Sequence, residues 1–471
     1  MPKSQEFELE DFLIGDEATN SIPTSQDQDQ QGDDHQTTVK TVNYQGQQIK
    51  ILPKDWRHSN LLKFQILICF CCMVIVGIND QTVGTLIPTL THHYNTEQTT
   101  ISTVFALQFL GYATSALSNE HLHVKFGRRG VMILSNAFLL ITYLVNSFKP
   151  PIFIYIGIYY FAGLGVGLLD SCMTVWLSSL VDHNEIMGLL HGFYGIGSVF
   201  APPYISHLLK WFNSDFKYHY ITLSVVSSLG VIACSILFKN ESKLKYEYDH
   251  KIAGNHDDDV EQDHGSNLKK VLKMPTVLIF SAYLFLYIGA EVSIGSWLLS
   301  YLMKIKNLDQ IQSSYIVSWF WIGLTIGRIL LGFVTKYFKN EYRANLYYAS
   351  LSLICYLIYS LFTLSISSEY KHFTIWTNIL VIICGIFIGP LFPTGSITLM
   401  KILPSNLHVS SVGIMTSLGG SGAAILPFFV GILTHATSLE ILPILISLMI
   451  IGYVMIWWFI PKVCHMHNYD F

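Results

Sequence analysis

Residues 66–88 read ILICFCCMVIVGINDQTVGTLIP. The run is long enough to cross a hydrocarbon layer of ~30 Å as a helix, which takes about 20 mostly apolar residues. It nevertheless carries a carboxylate, Asp80, well inside it. Even the mildest insertion scale puts that at a cost of ~2.5–3.5 kcal/mol, so an acid at this depth is expected to face a polar cavity and to have a function there. A second acid stands in a matching run downstream: Glu291, in YIGAEVSIGSW, is followed four residues later by Gly295, as Asp80 is followed by Gly84.

The rest of the chain agrees with a membrane reading. Of 471 residues, 51% are hydrophobic and 13% charged, too few charges to cover a soluble globule of that size. Twelve apolar segments are expected to span: roughly 61–91, 98–119, 130–147, 152–181, 188–211, 218–238, 275–303, 311–335, 344–365, 374–401, 409–435 and 440–460. An even number of spans puts both termini on one side. Lys125, Arg128, Arg129, Lys336, Lys339, Arg343 and the lysines between Lys239 and Lys273 fall on that same side, which makes it the cytoplasmic one, because short basic loops stay inside. The net charge of −4 comes mostly from an acidic start and points to no nucleic-acid partner. The sequence thus divides into a disordered cytoplasmic tail (1–57), a six-helix half (58–238), a cytoplasmic linker (239–273) containing HDDDVEQDH, a second six-helix half (274–461) and a short cytoplasmic tail (462–471).

The two halves repeat their punctuation. Asp80 with Gly84 answers to Glu291 with Gly295, and Gly163 with Gly167 answers to Gly385 with Gly389. Gly195, Gly197 and Pro202 answer to Gly420, Gly422 and Pro427, both as G-x-G-x4-P. Order is kept and the offset drifts only with loop length, which is the mark of a duplicated carrier whose halves rock about a central site. These glycines and prolines are expected to serve helix packing and bending.

Few residues could carry chemistry. Asp80, beside Asn79, is expected to hold a proton or accept hydrogen bonds from a substrate, with a structural carboxylate as the alternative. Asp170 follows the glycines of GLGVGLLD, and its counterpart in the second half is Phe392, an asymmetry that favours function over architecture. Glu291 is the third mid-span acid, and Trp297 two turns on would suit a binding face or an interface anchor. His191, opening LLHGFYGIG with Tyr194 in the same segment, is a candidate proton relay, or a gate or cap. Arg328 lies well inside the eighth span and requires a carboxylate partner. After the second span comes Lys125-Phe126-Gly127-Arg128-Arg129, a basic turn.

These features together resemble the fucose-permease-like branch of the major facilitator superfamily, especially its fungal members. GIND with Pro88, GLGVGLLD, LLHGFYGIGSVFAPP, GAEVSIGSW, WIGLTIGRILLG and GPLFPTGSITL carry the resemblance, which covers about residues 60–460. It implies an all-α membrane fold of twelve transmembrane helices in two pseudo-symmetric halves, acting as a monomer. It also implies proton-coupled transport of a sugar or similar small polar solute, with Asp80 on the substrate and Asp170 on the proton. The basic turn resembles that family's cytoplasmic gate, where Gly127, Arg128 and Arg129 match. The usual acid is absent, with Val124 in its place and Glu120 one turn earlier.

No phosphate-cradling G-x4-G-K-[ST] loop, H-E-x-x-H or G-x-S-x-G is present, so no enzyme, cofactor or resident metal is expected. The expected partners are a small-molecule substrate, protons and the bilayer, with the plasma membrane preferred to the vacuolar one. A solute sensor on a carrier scaffold and an exporter of hydrophobic compounds stay open as rivals.

Overall fold

The computed structural model describes residues 39–256, 271–403 and 408–463, apart from the side chains of a few helical residues, Glu120 among them. It is helical except for one hairpin. The first half consists of α1 (Asn60–Tyr94), α2 (Gln98–Ser147), α3 (Ile152–Ser178), α4 (His183–Trp211) and α5 (Lys217–Leu237). A linker helix, α6 (Lys243–His256), follows. The second half holds α7 (Pro275–Lys304), α8 (Gln310–Thr335), α9 (Glu341–Ser365), α10 (Phe373–Ile388), α11 (Leu391–Ile402), α12 (His408–Gly420), α13 (Gly422–Ala436) and α14 (Leu442–Val463).

Among the described residues, eleven stretches are long and apolar enough to cross a membrane. Two of them lie in α2, which kinks at Gly127 (φ 69°, ψ 175°). The fifth expected span is α4, 29 residues long, which the glycines, prolines and polar residues spread along it keep out of that set. The tenth is α10 with α11, and the eleventh runs over α12 and α13, which break at Ser421. The twelve-span reading therefore holds as a fold.

Chain direction alternates through the spans, so one end of the bundle gathers the entry to α1, the linker and the exit from α14. This is called the terminal end below, and the other the distal end. Distal turns are closed by residues in the left-handed region: Asn95, Lys149, Asn213 and Asn307. Asparagine enters that region more readily than most side chains do.

The segment before α1 differs from the expected disordered tail of 1–57. Residues 1–38 lie outside the described residues, but β1 (Lys40–Tyr44) and β2 (Gln47–Ile51) form an antiparallel hairpin with Val42 opposite Ile49. Its turn is Gln45-Gly46, both at positive φ, the geometry that tight two-residue hairpins require. Ile49 and Leu52 are buried, and Tyr44 packs edge-on against Tyr248 of α6 at 5.5 Å. The hairpin thus folds because it has α6 to cover its apolar face.

The repeat is visible in the contacts. A Cβ on Gly163 would meet the Gln108 carbonyl and the Tyr112 amide, and one on Gly385 would meet the Phe320 carbonyl and the Leu324 amide. Likewise a Cβ on Gly197 would meet the Val74 carbonyl at 2.2 Å, and one on Gly422 the Phe285 carbonyl at 2.0 Å. Val74 and Phe285 each stand six residues before the acid of their half, so the halves are built in one register.

Contacts between the halves run from the distal end to mid-depth. Ser318 donates to the Val199 carbonyl at 2.7 Å, Trp321 Nε1 to Gln81 Oε1 at 3.0 Å and Thr99 to the Gly431 carbonyl at 3.3 Å. His207 meets the Tyr315 hydroxyl at 3.2 Å, and His435 meets Glu97 at 3.0 Å. Gly84 lies against the Ser296 backbone, and Gly195 against the Thr325 side chain.

Candidate functional site

Asp80 is partly exposed in the middle of α1. Three side chains donate to it: Asn79 Nδ2 at 3.2 Å, Gln108 Nε2 of α2 at 3.1 Å and the Tyr194 hydroxyl of α4 at 3.1 Å. Packing explains the arrival of Tyr194. Gly77 of α1 lies on the Tyr194 carbonyl and Gly197 of α4 on that of Val74, and such mutual absence of side chains lets two helices approach to backbone contact. Asn79 itself is fully buried, its Oδ1 accepting from the Tyr143 hydroxyl at 3.0 Å. That bond fixes the amide so that its NH2 turns to Asp80. Trp321 of α8, fully buried, stands edge-on to Tyr194 with centroids 6.4 Å apart, so the second half backs the tyrosine that donates to Asp80.

Asp170 of α3 is also partly exposed and accepts from the Tyr112 hydroxyl at 3.4 Å. Gly167, one turn before, is packed against Ser115 and the Tyr112 ring, which brings that ring beside the acid. His191 is exposed and interacts electrostatically with Asp170 and with Arg328 of the second half. Among the described residues neither Asp80 nor Asp170 has a cationic partner within ion-pair distance; each is held by neutral donors and has lone pairs left for a proton or a hydroxyl donor.

Glu291 is buried, with a different environment. Arg328 Nη2 reaches its two oxygens at 3.0 and 3.2 Å, and the Tyr287 hydroxyl donates to it as well. Arg328 Nε donates to the Gly389 carbonyl at 3.3 Å, and its side chain keeps about a quarter of its surface exposed. The partner that Arg328 required is therefore Glu291. Trp297 does not join this group: it is fully buried, and its Nε1 donates to the Pro427 carbonyl at 2.9 Å, between α7 and α13.

The basic turn has its acid after all, from the linker. Arg128 Nη1 donates to Glu241 at 3.0 Å and to Asp249 at 2.7 Å, the Arg129 amide donates to the Glu241 carbonyl at 2.9 Å, and Lys245 pairs with Glu241. Gly127 needs its positive φ and its missing Cβ here, because a Cβ would meet the Lys243 amide at 2.5 Å. Burial opposes the charge on Glu241, but Lys245 and Arg128 outweigh it and hold the carboxyl below its usual range. In G-x-G-x4-P, Gly197 and Gly422 serve packing, Gly195 faces Thr325, and Gly420 faces open space. Pro202 and Pro427 lie inside α4 and α13. Among the described residues no group of three or more His, Cys, Asp or Glu side chains is placed to hold a metal ion.

Sequence reasoning missed Gln108, Tyr112, Tyr143, Gln81 and Trp321. The signal for Gln108 and Tyr112 was their spacing of four on one face of an apolar span, opposite the GLGVGLLD glycines.

Two helical halves in one register, a cross-half seam and polar groups partly exposed at mid-depth define a multi-pass membrane transporter. Residues 69–427 match the profile described as Major Facilitator Superfamily, and the chain belongs to that family. It is 36% identical over 480 residues to "Bypass of stop codon protein 6" of Saccharomyces cerevisiae (strain ATCC 204508 / S288c), covering 98% of this chain and 94% of that one. It is 25% identical to the "Glucose/mannose transporter GlcP" of Bacillus subtilis (strain 168), over 79% of this chain and 88% of that one. The fold superposes on the crystal structure of a D-xylose-proton symporter with TM-score 0.65 at 11% identity, covering 85% of this chain and 97% of the other. These relatives agree with the resemblance to the fucose-permease-like branch.

Proposed function

We propose that the chain is a proton-coupled secondary transporter that moves a small polar solute, a sugar, by alternating access. The observation that carries this reading is the pair of partly exposed mid-span carboxylates, Asp80 and Asp170, each held by neutral donors. An acid held in this way can take and release a proton, and its remaining lone pairs can accept from sugar hydroxyls. Asp80, with Asn79, Gln108 and Tyr194 around it, is assigned to the solute, and the buried Trp321 backs Tyr194. Asp170 and His191 are assigned to the proton. Glu291 acts through Arg328, which it neutralises, and Trp297 acts in helix packing. Similarity to proteins named as glucose/mannose and glucose/galactose transporters, the second from Brucella abortus, supports a sugar. With cytoplasmic termini the seam closes the outer side, and the form described is inward-facing. The protein is read as a monomer of the plasma membrane.

The test is proton flux in liposomes of purified protein, driven by D-glucose, D-mannose or D-galactose, with Asp170→Asn beside it. Sugar-driven flux that Asp170→Asn loses, while sugar exchange between the two sides continues, supports the reading. Sugar accumulation unchanged in Asp170→Asn refutes the proton role. Silence of a folded wild type toward all three sugars refutes the substrate.

A further inference from the structure

We infer that Tyr112 is the positioning residue through which a proton on Asp170 is felt at Asp80, so that the Gln108–Tyr112 strip of α2 is the element coupling proton to solute. This rests on the proton-coupled reading above. Gln108 donates to Asp80 at 3.1 Å and Tyr112 to Asp170 at 3.4 Å. The two are four residues apart, hence on one face of the helix. Helix α4 also reaches both acids, with Tyr194 bonded to Asp80 and His191 near Asp170 by charge, but among the described residues α2 alone hydrogen-bonds to both.

The second half supplies the control. Its matching glycines, Gly385 and Gly389, hold α8 as Gly163 and Gly167 hold α2. That register pairs Gln108 with Phe320 and Tyr112 with Leu324, while Asp170 pairs with Phe392. The packing is kept in both halves and all three polar groups are confined to the first. A strip needed only for helix packing would have no reason to carry this difference. The glycines also lock α2 to α3 at backbone contact, so the strip and Asp170 move together when the halves rock.

The hydrogen-bond inventory gives the switch. An ionised Asp170 only accepts, so the Tyr112 hydroxyl must donate to it. Once Asp170 takes a proton from solvent it carries an O–H of its own and can donate to the phenol oxygen instead. The Tyr112 proton is then free to turn away from Asp170, on the helix face where Gln108, one turn earlier, holds Asp80. Release of the proton to solvent restores the first arrangement. The groups facing Asp170 are Tyr112 from α2, His191 from α4 and, by its charge, Asp80 from α1, with Arg328 from α8 acting on His191.

The experiment compares Tyr112→Phe with the wild type in liposomes, using the sugar that drives proton flux. It measures protons moved per sugar, the pH midpoint of uptake, and sugar counterflow without a proton gradient. Loss of a hydrogen bond to a charged group is worth about a tenfold change in proton affinity. The expected result is a midpoint displaced by about one pH unit, with proton-driven uptake falling about tenfold more than counterflow. Tyr112→His, which keeps a ring N–H, is expected to restore the coupling ratio. A midpoint and ratio equal to wild type in Tyr112→Phe would overturn the inference while leaving the transporter reading intact. A wild type without sugar-driven proton flux would overturn both. Should Tyr112→Phe not fold, Gln108→Met decides: it touches Asp80 and not Asp170, so an unmoved midpoint there overturns the inference too.

Discussion

Arg328 donates through one nitrogen to both carboxylate oxygens of Glu291, at 3.0 and 3.2 Å. Asp80, at the same register position in the other half, is held by two amides and a phenol instead. One duplicated position has thus become an ion pair in the second half and a carboxylate held by neutral donors in the first.

Removing one member of that pair should cost more than removing both. Glu291→Gln leaves a guanidinium without its carboxylate, and breaking a buried pair typically costs ~3–5 kcal/mol. The quarter exposure of Arg328 reduces that to about 2 kcal/mol. Glu291→Gln is expected to lower the melting temperature of the solubilised protein by several degrees, and Glu291→Gln with Arg328→Met to recover much of the loss. Equal losses in both variants would show the pair to be incidental to stability.

The repeat was legible because it is written in residues whose meaning is positional: an acid with a glycine one turn on, and G-x-G-x4-P. Contacts then gave Gly197 and Gly422 one role, as their spacing required. Arg328 announced a need for a partner, but three acids lay at similar depth and only the crossing of α7 and α8 picks Glu291. Gln108 and Tyr112 were silent, since glutamine and tyrosine in an apolar span carry no signal until the neighbouring glycines are seen to press that face onto α3. The hairpin at 40–51 was hidden by the acidic run before it, although Val42, Tyr44, Ile49 and Ile51 alternate about Gln45-Gly46.

Gly420 and Gly422 stand two residues apart and should respond oppositely to alanine. A Cβ at 422 would meet the Phe285 carbonyl at 2.0 Å, whereas one at 420 meets nothing within 4 Å. Gly422→Ala is expected to destabilise by ~1–3 kcal/mol through overpacking. Gly420→Ala should be neutral or gain ~0.5–1 kcal/mol from the lost chain freedom of glycine. Melting curves of the two variants check this, and a comparable loss at 420 would refute the assigned helix register.

Glu241 predicts a pH dependence. Its carboxyl is held below the usual range in the folded protein by Lys245 and Arg128, against the opposing effect of burial. An acid depressed on folding stabilises above its unfolded value of ~4.3, and the stability is lost as pH falls through the lower folded value. Glu241→Gln should therefore cost about 2 kcal/mol at pH 7, with the gap to wild type constant from pH 6 to 8 and closing only in acid below pH ~4. Melting temperature measured across that range checks it. A gap that closes near neutrality would point to another titrating group.

The seam between halves sets the last prediction. Trp321 Nε1 donates to Gln81 Oε1 at 3.0 Å, both side chains being buried, near mid-depth in a contact that continues to the distal loops. Opening the distal side must break this bond, while Asp80, next to Gln81 in the chain, is partly exposed. Trp321→Phe keeps an aromatic ring against Tyr194 and removes the N–H, leaving the Gln81 carbonyl without that donor. A net hydrogen bond is worth about 1 kcal/mol, which shifts a two-state population about fivefold. Spin labels placed at Asn213 in the first half and Asn307 in the second should report more of the wide-distance form in Trp321→Phe than in wild type. Ser318→Ala, which removes the bond to the Val199 carbonyl in the same seam, should move the distribution in the same direction. If neither variant changes it, these hydrogen bonds do not hold the distal side closed, and apolar packing around Gly84 and Ser296 must do so instead.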